Sequence, residues 1–95
     1  MDFPALSDTT RLAVLIPAHN EEAVIRGTLR ALVPTVPAGT RVVVVADNCS
    51  DATAAVAREC GAEVVERRDA GRRGKGFALD FGIRHLEAQP PDAVV

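Results

Sequence analysis

The amino-acid sequence predicts an α/β fold, a three-layer α/β/α domain with an open, mainly parallel sheet. Short apolar runs alternate along the chain with segments of helical periodicity, an order typical of repeated βαβ units. The run Val42–Val45 contains four consecutive β-branched residues, which suits a strand covered by helices on both faces. Because strands joined by helical crossovers run in the same direction, the sheet is expected to be parallel.

The size and composition of the chain indicate one small globular domain. The chain has 95 residues, and we expect residues 1–10 to form a flexible leader before a domain at residues 11–95. The net charge of −2 provides no general attraction for nucleic acid or membranes. No apolar run reaches the ~20 residues of a membrane span. The two cysteines, Cys49 and Cys60, fit a reduced cytoplasmic protein better than a disulfide framework.

The first predicted unit is a strand followed by a helix. Arg11–Ile16 is an apolar run, and Pro17 is expected to end the strand because proline has no N–H for a central ladder. Asn20 is the predicted N-cap of a helix over Glu21–Leu32, whose apolar residues recur at helical spacing.

The second predicted unit contains the central strand. This strand covers Arg41–Ala46, and the polar turn that follows it leads into a helix over Asp51–Cys60. Ser50 is the predicted N-cap of this helix. Gly61 stands where a C-terminal glycine ends a helix.

The third unit ends in a strand that the sequence cuts short. A strand over Glu63–Glu66 precedes a loop, Arg67–Lys75, and a helix over Gly76–Glu87. Residues Ala93–Val95 read as the beginning of a fourth strand. Since strands usually contain about 5–6 residues, we expect the domain to be truncated within this strand.

Two side-chain placements are predicted for the third helix. Phe77 and Phe81 are four residues apart and are expected to pack together in the core. His85 is expected to face solvent.

No His, Cys or Asp cluster in the chain has the spacing of metal ligands.

Polar residues follow the first two predicted strands, where an open parallel sheet binds its ligands. Ala18 and His19 could lie against a nucleotide base or ribose, and Asp47 could accept N–H donors from a pyrimidine or purine ring. Structural roles account for the same residues: a helix cap beside acidic residues in the first turn, and an Asx-turn at Asp47 or Asn48.

The loop before the third helix is strongly basic. Residues 67–75 hold five positive charges and one negative charge, with glycines that allow a close approach of the backbone. Because a helix follows directly, the segment predicts a diphosphate or phosphosugar site; a solvated charged loop is the alternative. Asp69 and Gly76 stand where a P-loop requires glycine and a hydroxyl residue, and this motif is therefore excluded.

Three segments together resemble the amino-terminal half of family 2 glycosyltransferases of the GT-A fold, whose nucleotide-binding half is Rossmann-like. Val14–Glu22 resembles the opening strand and its P-x-x-N-E turn. Val44–Thr53 resembles the second strand with its acidic turn, and Gly74–Ile83 resembles the G-K-x-x-A-L-x-x-G helix. One departure is Ala46, where many members of the family carry a further aspartate.

The resemblance implies a nucleotide-sugar donor, a UDP- or GDP-sugar. Pro17, Ala18 and Glu21 would line the nucleoside pocket. Asp47 would bind the base, and Lys75 would lie near the base or the diphosphate. The full set of implied donor-binding residues is Pro17, Ala18, His19, Glu21, Asp47, Asn48 and Lys75. A divalent cation, Mg²⁺ or Mn²⁺, is expected in the full-length enzyme with ligands outside this chain.

The resulting functional prediction is a cytoplasmic glycosyltransferase fragment that binds the donor for transfer to an acceptor that these motifs do not specify. The catalytic base and the metal motif of the family would lie beyond Val95, so the chain alone is expected to be inactive, and any membrane contact would come from other regions. The alternative is a non-catalytic nucleotide-sensing or receiver-like module. A nucleotidyltransferase would begin with a glycine-rich loop, which is absent here.

Overall fold

The computed structural model describes residues 11–95, which form one parallel four-stranded sheet with helices on both faces. The predicted leader, residues 1–10, lies outside the described residues. The elements, in chain order, are strand β1 (Leu12–Ala18), helix α1 (Glu22–Leu32), a 3₁₀ turn (Val33–Thr35), strand β2 (Arg41–Asp47), helix α2 (Thr53–Glu59), strand β3 (Glu63–Arg67), helix α3 (Lys75–Leu86) and strand β4 (Ala93–Val94). The strand order is β3-β2-β1-β4 and all three pairings are parallel. The predicted fold class is confirmed.

Strand β2 lies inside the sheet and is buried on both faces. Val43, Val44 and Val45 are fully buried, and alternate residues of the strand join different apolar clusters. Val43 and Val45 pack with α3, whereas Val42 and Val44 pack with α1 and α2. This separation produces the three predicted layers, because successive side chains of a strand point to opposite faces.

Pro17 lies within β1, so the prediction that it ends the strand at Ile16 is wrong. The Leu15 N–H donates to the Val95 carbonyl and the Val95 N–H donates to Ala13, so odd-numbered residues of β1 face β4. Strand β4 pairs with Leu12 and Ala13. The missing N–H of Pro17 therefore lies on the β4 side, and the pairing of β1 with β2 continues past it to Ala18.

Neither predicted N-cap acts as one. Asn20 has a left-handed backbone, with φ of 48°, and its side chain bonds to another turn. The N–H groups at the start of α1 are instead satisfied from the β2–α2 turn and the first residue of α2. Glu21, just before α1, donates to the Thr53 hydroxyl at 2.9 Å, and Glu22 donates to the Asp51 carboxylate at 3.1 Å. Ser50 makes no capping bond to α2, which begins after Ala52.

The aromatic residues of α3 are half-exposed, contrary to the prediction that they pack in the core. Phe77 is 46% exposed and Phe81 is 36% exposed. The buried positions of the helix are Ala78, Gly82 and Leu86, which repeat every four residues and form the face against the sheet. Each phenylalanine precedes one of these positions by one residue, a rotation of about 100° around the helix.

His85 joins an ion cluster at the amino-terminal edge of the sheet, contrary to the prediction that it faces solvent. Its Nε2 contacts the Glu63 carboxylate. The same carboxylate accepts two bonds from Arg41, at 3.1 and 2.7 Å. The cluster therefore joins the first residues of β2 and β3 to the last turn of α3.

No helix within residues 11–95 has the length and the apolar character needed to cross a membrane.

Candidate functional site

A cavity of about 300 Å³ opens at the carboxyl-terminal edge of the sheet. The ends of β1 and β2 form one side, and the turn before α3 with its first residues forms the other. The residues around it are Pro17, Ala18, His19, Glu21, Asp47, Asn48, Arg73, Gly74, Lys75 and Ala78. The structure thus brings together all seven residues implied by the sequence, although their contact with a ligand stays a prediction. It adds Arg73, Gly74 and Ala78.

Asp47 ends β2 and forms a buried ion pair with Arg67. The two residues are register partners in the parallel pairing of β2 and β3, and Arg67 Nη1 lies 2.7 Å from Asp47 Oδ1. Their side chains are only 8% and 9% exposed. The Phe77 ring covers the guanidinium at 5.4 Å, a distance typical of a cation–π contact.

Asn48 holds the basic loop against the end of β2. Its backbone is left-handed, with φ of 51°, a conformation that asparagine tolerates better than most residues. Its Oδ1 accepts from the Asp69 N–H at 2.8 Å and its Nδ2 donates to the Asp69 carbonyl at 3.2 Å. The amide is therefore bonded to the neighbouring loop, and Asn48 shapes the cavity wall rather than offering a free side chain.

His19 is oriented by the backbone of Asp47. Its Nδ1 lies 2.8 Å from the Asp47 carbonyl oxygen. Because a carbonyl only accepts hydrogen bonds, Nδ1 carries the proton in the neutral ring and Nε2 is left as an acceptor. His19 thus forms an oriented, exposed rim of the cavity.

Further hydrogen bonds tie the turns after β1 and β2 to one another. Asn20 Oδ1 accepts from the Ser50 N–H at 2.8 Å, and the Cys49 thiol donates to the Ala18 carbonyl at 3.5 Å. The pKa of Asp51 is lowered, chiefly because the Thr53 hydroxyl donates to its carboxylate. The bonds from Ser50 and Cys49 hold the segments that follow β1 and β2 together beside the cavity.

The opposite wall is positively charged. Arg73 and Lys75 flank Gly74, whose φ of 117° is open to glycine. Gly74 precedes the first turn of α3, where no side chain caps the helix. The N–H groups of an uncapped first turn, together with the helix dipole, attract anions.

The sequence pattern did not predict that Arg67 pairs with Asp47. It did predict that the basic loop, which includes Arg73, lies near phosphate. Arg73 belongs to the basic loop already assigned to phosphate, and only its individual position was unspecified. Arg67 was counted with the same charges, yet it is buried behind Asp47 and does not line the cavity. Nothing in the sequence specifies the register that pairs β2 with β3, so no local signal could have identified this ion pair.

The residues of this site do not themselves form a metal centre. Within residues 11–95, no three His, Cys, Asp or Glu side chains lie close enough together to hold a metal ion.

Comparison with known proteins identifies the family of this fold. The family described as Glycosyltransferase like family 2 matches residues 10–95. A curated relative, the probable glycosyltransferase YdaM of Bacillus subtilis (strain 168), is 36% identical over 86 residues, covering 82% of this chain and 20% of the relative.

Solved structures support the same assignment. Glucosyl-3-phosphoglycerate synthase from Mycobacterium tuberculosis in complex with UDP matches with a TM-score of 0.71 and 34% identity, over 90% of this chain and 32% of the synthase. A complex of this synthase with Mn²⁺, UDP-glucose and phosphoglyceric acid matches with the same TM-score. A mycobacterial protein matches at 0.73, with 31% identity over 92% of this chain and 30% of that protein.

The chain therefore spans a minor part of these relatives, 20% of the curated protein and 32% of the synthase. The matches support the glycosyltransferase prediction and lend nothing to the nucleotide-sensing or receiver-like alternative. With the parallel α/β sheet and the cavity at its carboxyl edge, they show that this chain belongs to glycosyltransferase family 2 and has the α/β fold of GT-A enzymes.

Proposed function

We propose that this domain binds the nucleoside diphosphate of a sugar donor for glycosyl transfer. The observation that carries this proposal is the division of one cavity into two chemically different ends. An acidic end holds Asp47 and Glu21, and a basic end holds Arg73, Lys75 and the start of α3. A nucleoside diphosphate has the matching pattern, with N–H donors on its base and negative charge on its phosphates.

The base would lie at the acidic end. Pro17 and Ala18 supply an apolar wall from β1, and a small residue at Ala18 leaves room for a flat ring. The Asp47 carboxylate is a charged acceptor in a largely buried position, where its hydrogen bond with a ring N–H is stronger than in water. The Nε2 atom of His19 can accept a bond from a ribose hydroxyl at the rim.

The diphosphate would lie at the basic end. Lys75 begins α3 and is exposed, so its ammonium group is free to approach phosphate oxygens without losing a buried partner. The free N–H groups of the first turn would add backbone donors. Arg73 supplies a second positive charge on the same wall.

Sugar transfer itself would require residues beyond this site. The synthase structures contain Mn²⁺ with UDP-glucose, and we propose a divalent cation for the complete enzyme, with ligands outside residues 11–95. We also propose that the 95-residue chain alone binds donor without transferring sugar, since it spans only 32% of the solved synthase. The free thiols Cys49 and Cys60 fit a reducing compartment such as the cytoplasm.

Calorimetric titration with UDP tests the proposed site. We expect saturable binding that Asp47→Asn weakens about tenfold or more, because the substituted amide can no longer offer a charged acceptor to the base. Asp80→Asn is the control, because this substitution removes the same negative charge from an exposed position on α3. Incubation with UDP-glucose and Mn²⁺ is expected to release no glucose or UDP.

Two outcomes would contradict the proposal. Absence of UDP and GDP binding by a folded chain would remove the nucleotide site, and equal effects of the two aspartate substitutions would show that Asp47 does not contact the base. Turnover of UDP-glucose by the 95-residue chain would refute the proposed inactivity and leave the binding site intact.

A further inference from the structure

We propose that Arg67 determines which base the domain accepts, by holding Asp47 so that its carboxylate offers the cavity a single oxygen. This inference rests on the proposed nucleotide site and specifies its ligand as a base with one ring N–H, the pattern of uracil, over one with two adjacent N–H groups, the pattern of guanine.

The two carboxylate oxygens of Asp47 have different environments. Oδ1 accepts from Arg67 Nη1 at 2.7 Å and from Asn48 Nδ2 at 3.4 Å. Oδ2 receives no donor from residues 11–95, and every fully buried polar side-chain atom in that range has a partner. Oδ2 is therefore not fully buried, and we infer that its exposed surface faces the cavity that Asp47 lines.

Arg67 is itself held in place from several directions. Its backbone is paired with Asp47 in the sheet register, and the Phe77 ring lies 5.4 Å from its guanidinium carbon. Its Nη2 also lies 3.9 Å from the Asp69 carboxylate. Since Arg67 is buried and does not line the cavity, it is a positioning residue that acts through Asp47.

The chemistry of the bases makes this arrangement selective. Uracil presents one N–H between two carbonyl groups, which a single oxygen satisfies. Guanine presents a ring N–H and an exocyclic amino group side by side, and a free carboxylate binds both with its two oxygens. When Oδ1 is already bound to a guanidinium, the amino group of guanine is left without its acceptor, which disfavours guanine.

Calorimetric titrations with UDP, GDP and IDP measure this selectivity. Hypoxanthine, the base of IDP, has the size of guanine but lacks the exocyclic amino group, so the comparison of GDP with IDP removes the effect of ring size. We expect the protein to bind UDP about tenfold more tightly than GDP, and to bind IDP about fivefold more tightly than GDP, because only guanine carries an amino group that is left without an acceptor.

Substitution of Arg67 tests its role directly. Arg67→Met frees both oxygens of Asp47, so GDP is expected to bind about tenfold more tightly than IDP in this variant. Arg67→Lys keeps a positive charge beside Oδ1 and is expected to keep the wild-type preference for IDP over GDP. Arg58→Met, at an exposed position on α2, is the control for loss of a charge. Thermal unfolding of each variant establishes that it is folded.

Each outcome decides between specific conclusions. Wild-type binding of GDP that is as tight as or tighter than that of IDP, or an unchanged ratio of GDP to IDP affinity in a folded Arg67→Met variant, overturns the role of Arg67 while the nucleotide site stands. If Arg67→Met does not fold, the ratios of GDP to IDP affinity in the wild type and in Arg67→Lys decide whether Arg67 has this role. If neither purine diphosphate binds the wild type, new GDP binding in Arg67→Met supports the inference and its continued absence overturns it. Failure of all three diphosphates to bind contradicts the proposed function as well.

Discussion

Individual side chains around the cavity fall into two groups, those fixed by the protein and those left for a ligand. Asp47 is fixed through Oδ1 by Arg67, and Asn48 is fixed at both ends of its amide by Asp69. Lys75 is exposed at the first residue of α3. A buried charge needs a partner within the protein, whereas an exposed ammonium group is solvated until phosphate replaces water.

Substitution of Lys75 should therefore separate the phosphate contribution from the nucleoside contribution. Lys75→Ala is expected to weaken UDP binding about tenfold and to leave uridine binding unchanged, because a charge-assisted bond to the diphosphate is lost. Arg72→Ala, in the same exposed loop but outside the cavity lining, should affect neither ligand by more than about twofold. Equal losses for UDP and uridine would assign Lys75 to the nucleoside or to the structure of the loop.

Among the helices and strands, α3 shows how close packing positions the cavity wall. Its sheet-facing stripe uses a glycine where the helix lies on β1 and β2. A Cβ atom on Gly82 would lie 2.5 Å from Leu15 Cδ1 and 2.9 Å from Val45 Cγ2. The helix can therefore reach the sheet only because this position has no side chain, and the phenylalanines of α3 lie to the side.

Two glycine substitutions provide a matched test of this packing. Gly82→Ala is expected to lower the free energy of unfolding by about 1–3 kcal/mol, since the added methyl group overfills the contact with Leu15. Gly27→Ala, in α1, meets no atom within 4 Å and should stabilise the protein by about 0.5–1 kcal/mol through higher helix propensity. Urea unfolding of both variants measures the difference, and equal effects would mean that α3 is not packed tightly on β1.

The domain as a unit places its ligand cavity at one edge of the sheet and an ion cluster at the other. At the amino-terminal edge, Glu63 contacts Arg41 and His85, so β2, β3 and α3 are joined there. The pKa of Glu63 is lowered, chiefly by its bonds from Arg41 and then by His85. The two edges use separate residues, and acid titration of the cluster need not alter the donor site directly.

The lowered pKa of Glu63 predicts a pH dependence of stability. In the unfolded chain Glu63 returns towards its ordinary pKa of 4.5, so the unfolded state takes up the proton first as the pH falls. The stabilisation is therefore present above that value and is lost as the pH falls through the lower pKa of the folded state. Glu63→Gln should reduce this loss in urea unfolding between about pH 5 and about pH 3, by less than about 1 kcal/mol because the pair is partly exposed. Asp51, whose pKa is also lowered, would still contribute to the pH dependence of the free energy of unfolding in this variant. A variant with an unchanged pH profile would contradict the role of this cluster.

The order of the elements and the edge of the sheet that carries the cavity could be read from the amino-acid sequence. The valine run of β2, the apolar periodicity of α1 and the glycine at position 61, which has φ of 84°, are signals between near neighbours in the chain. They specify strand, helix and helix end independently of the rest of the protein. Because parallel strands end at the same edge of the sheet, the residues that follow β1 and β2 necessarily lie close together.

Contacts between distant segments could not be read in this way. The Asp47–Arg67 pair, the bonds from Asn48 to Asp69 and the capping of α1 from the β2–α2 turn all join residues 20 or more apart in sequence. Pro17 is tolerated within β1 because its missing N–H lies on the β4 side and leaves the pairing with β2 intact. Local periodicity determines what each segment becomes, but strand register and helix packing depend on how the segments meet. That meeting pairs Asp47 with Arg67 beside the cavity.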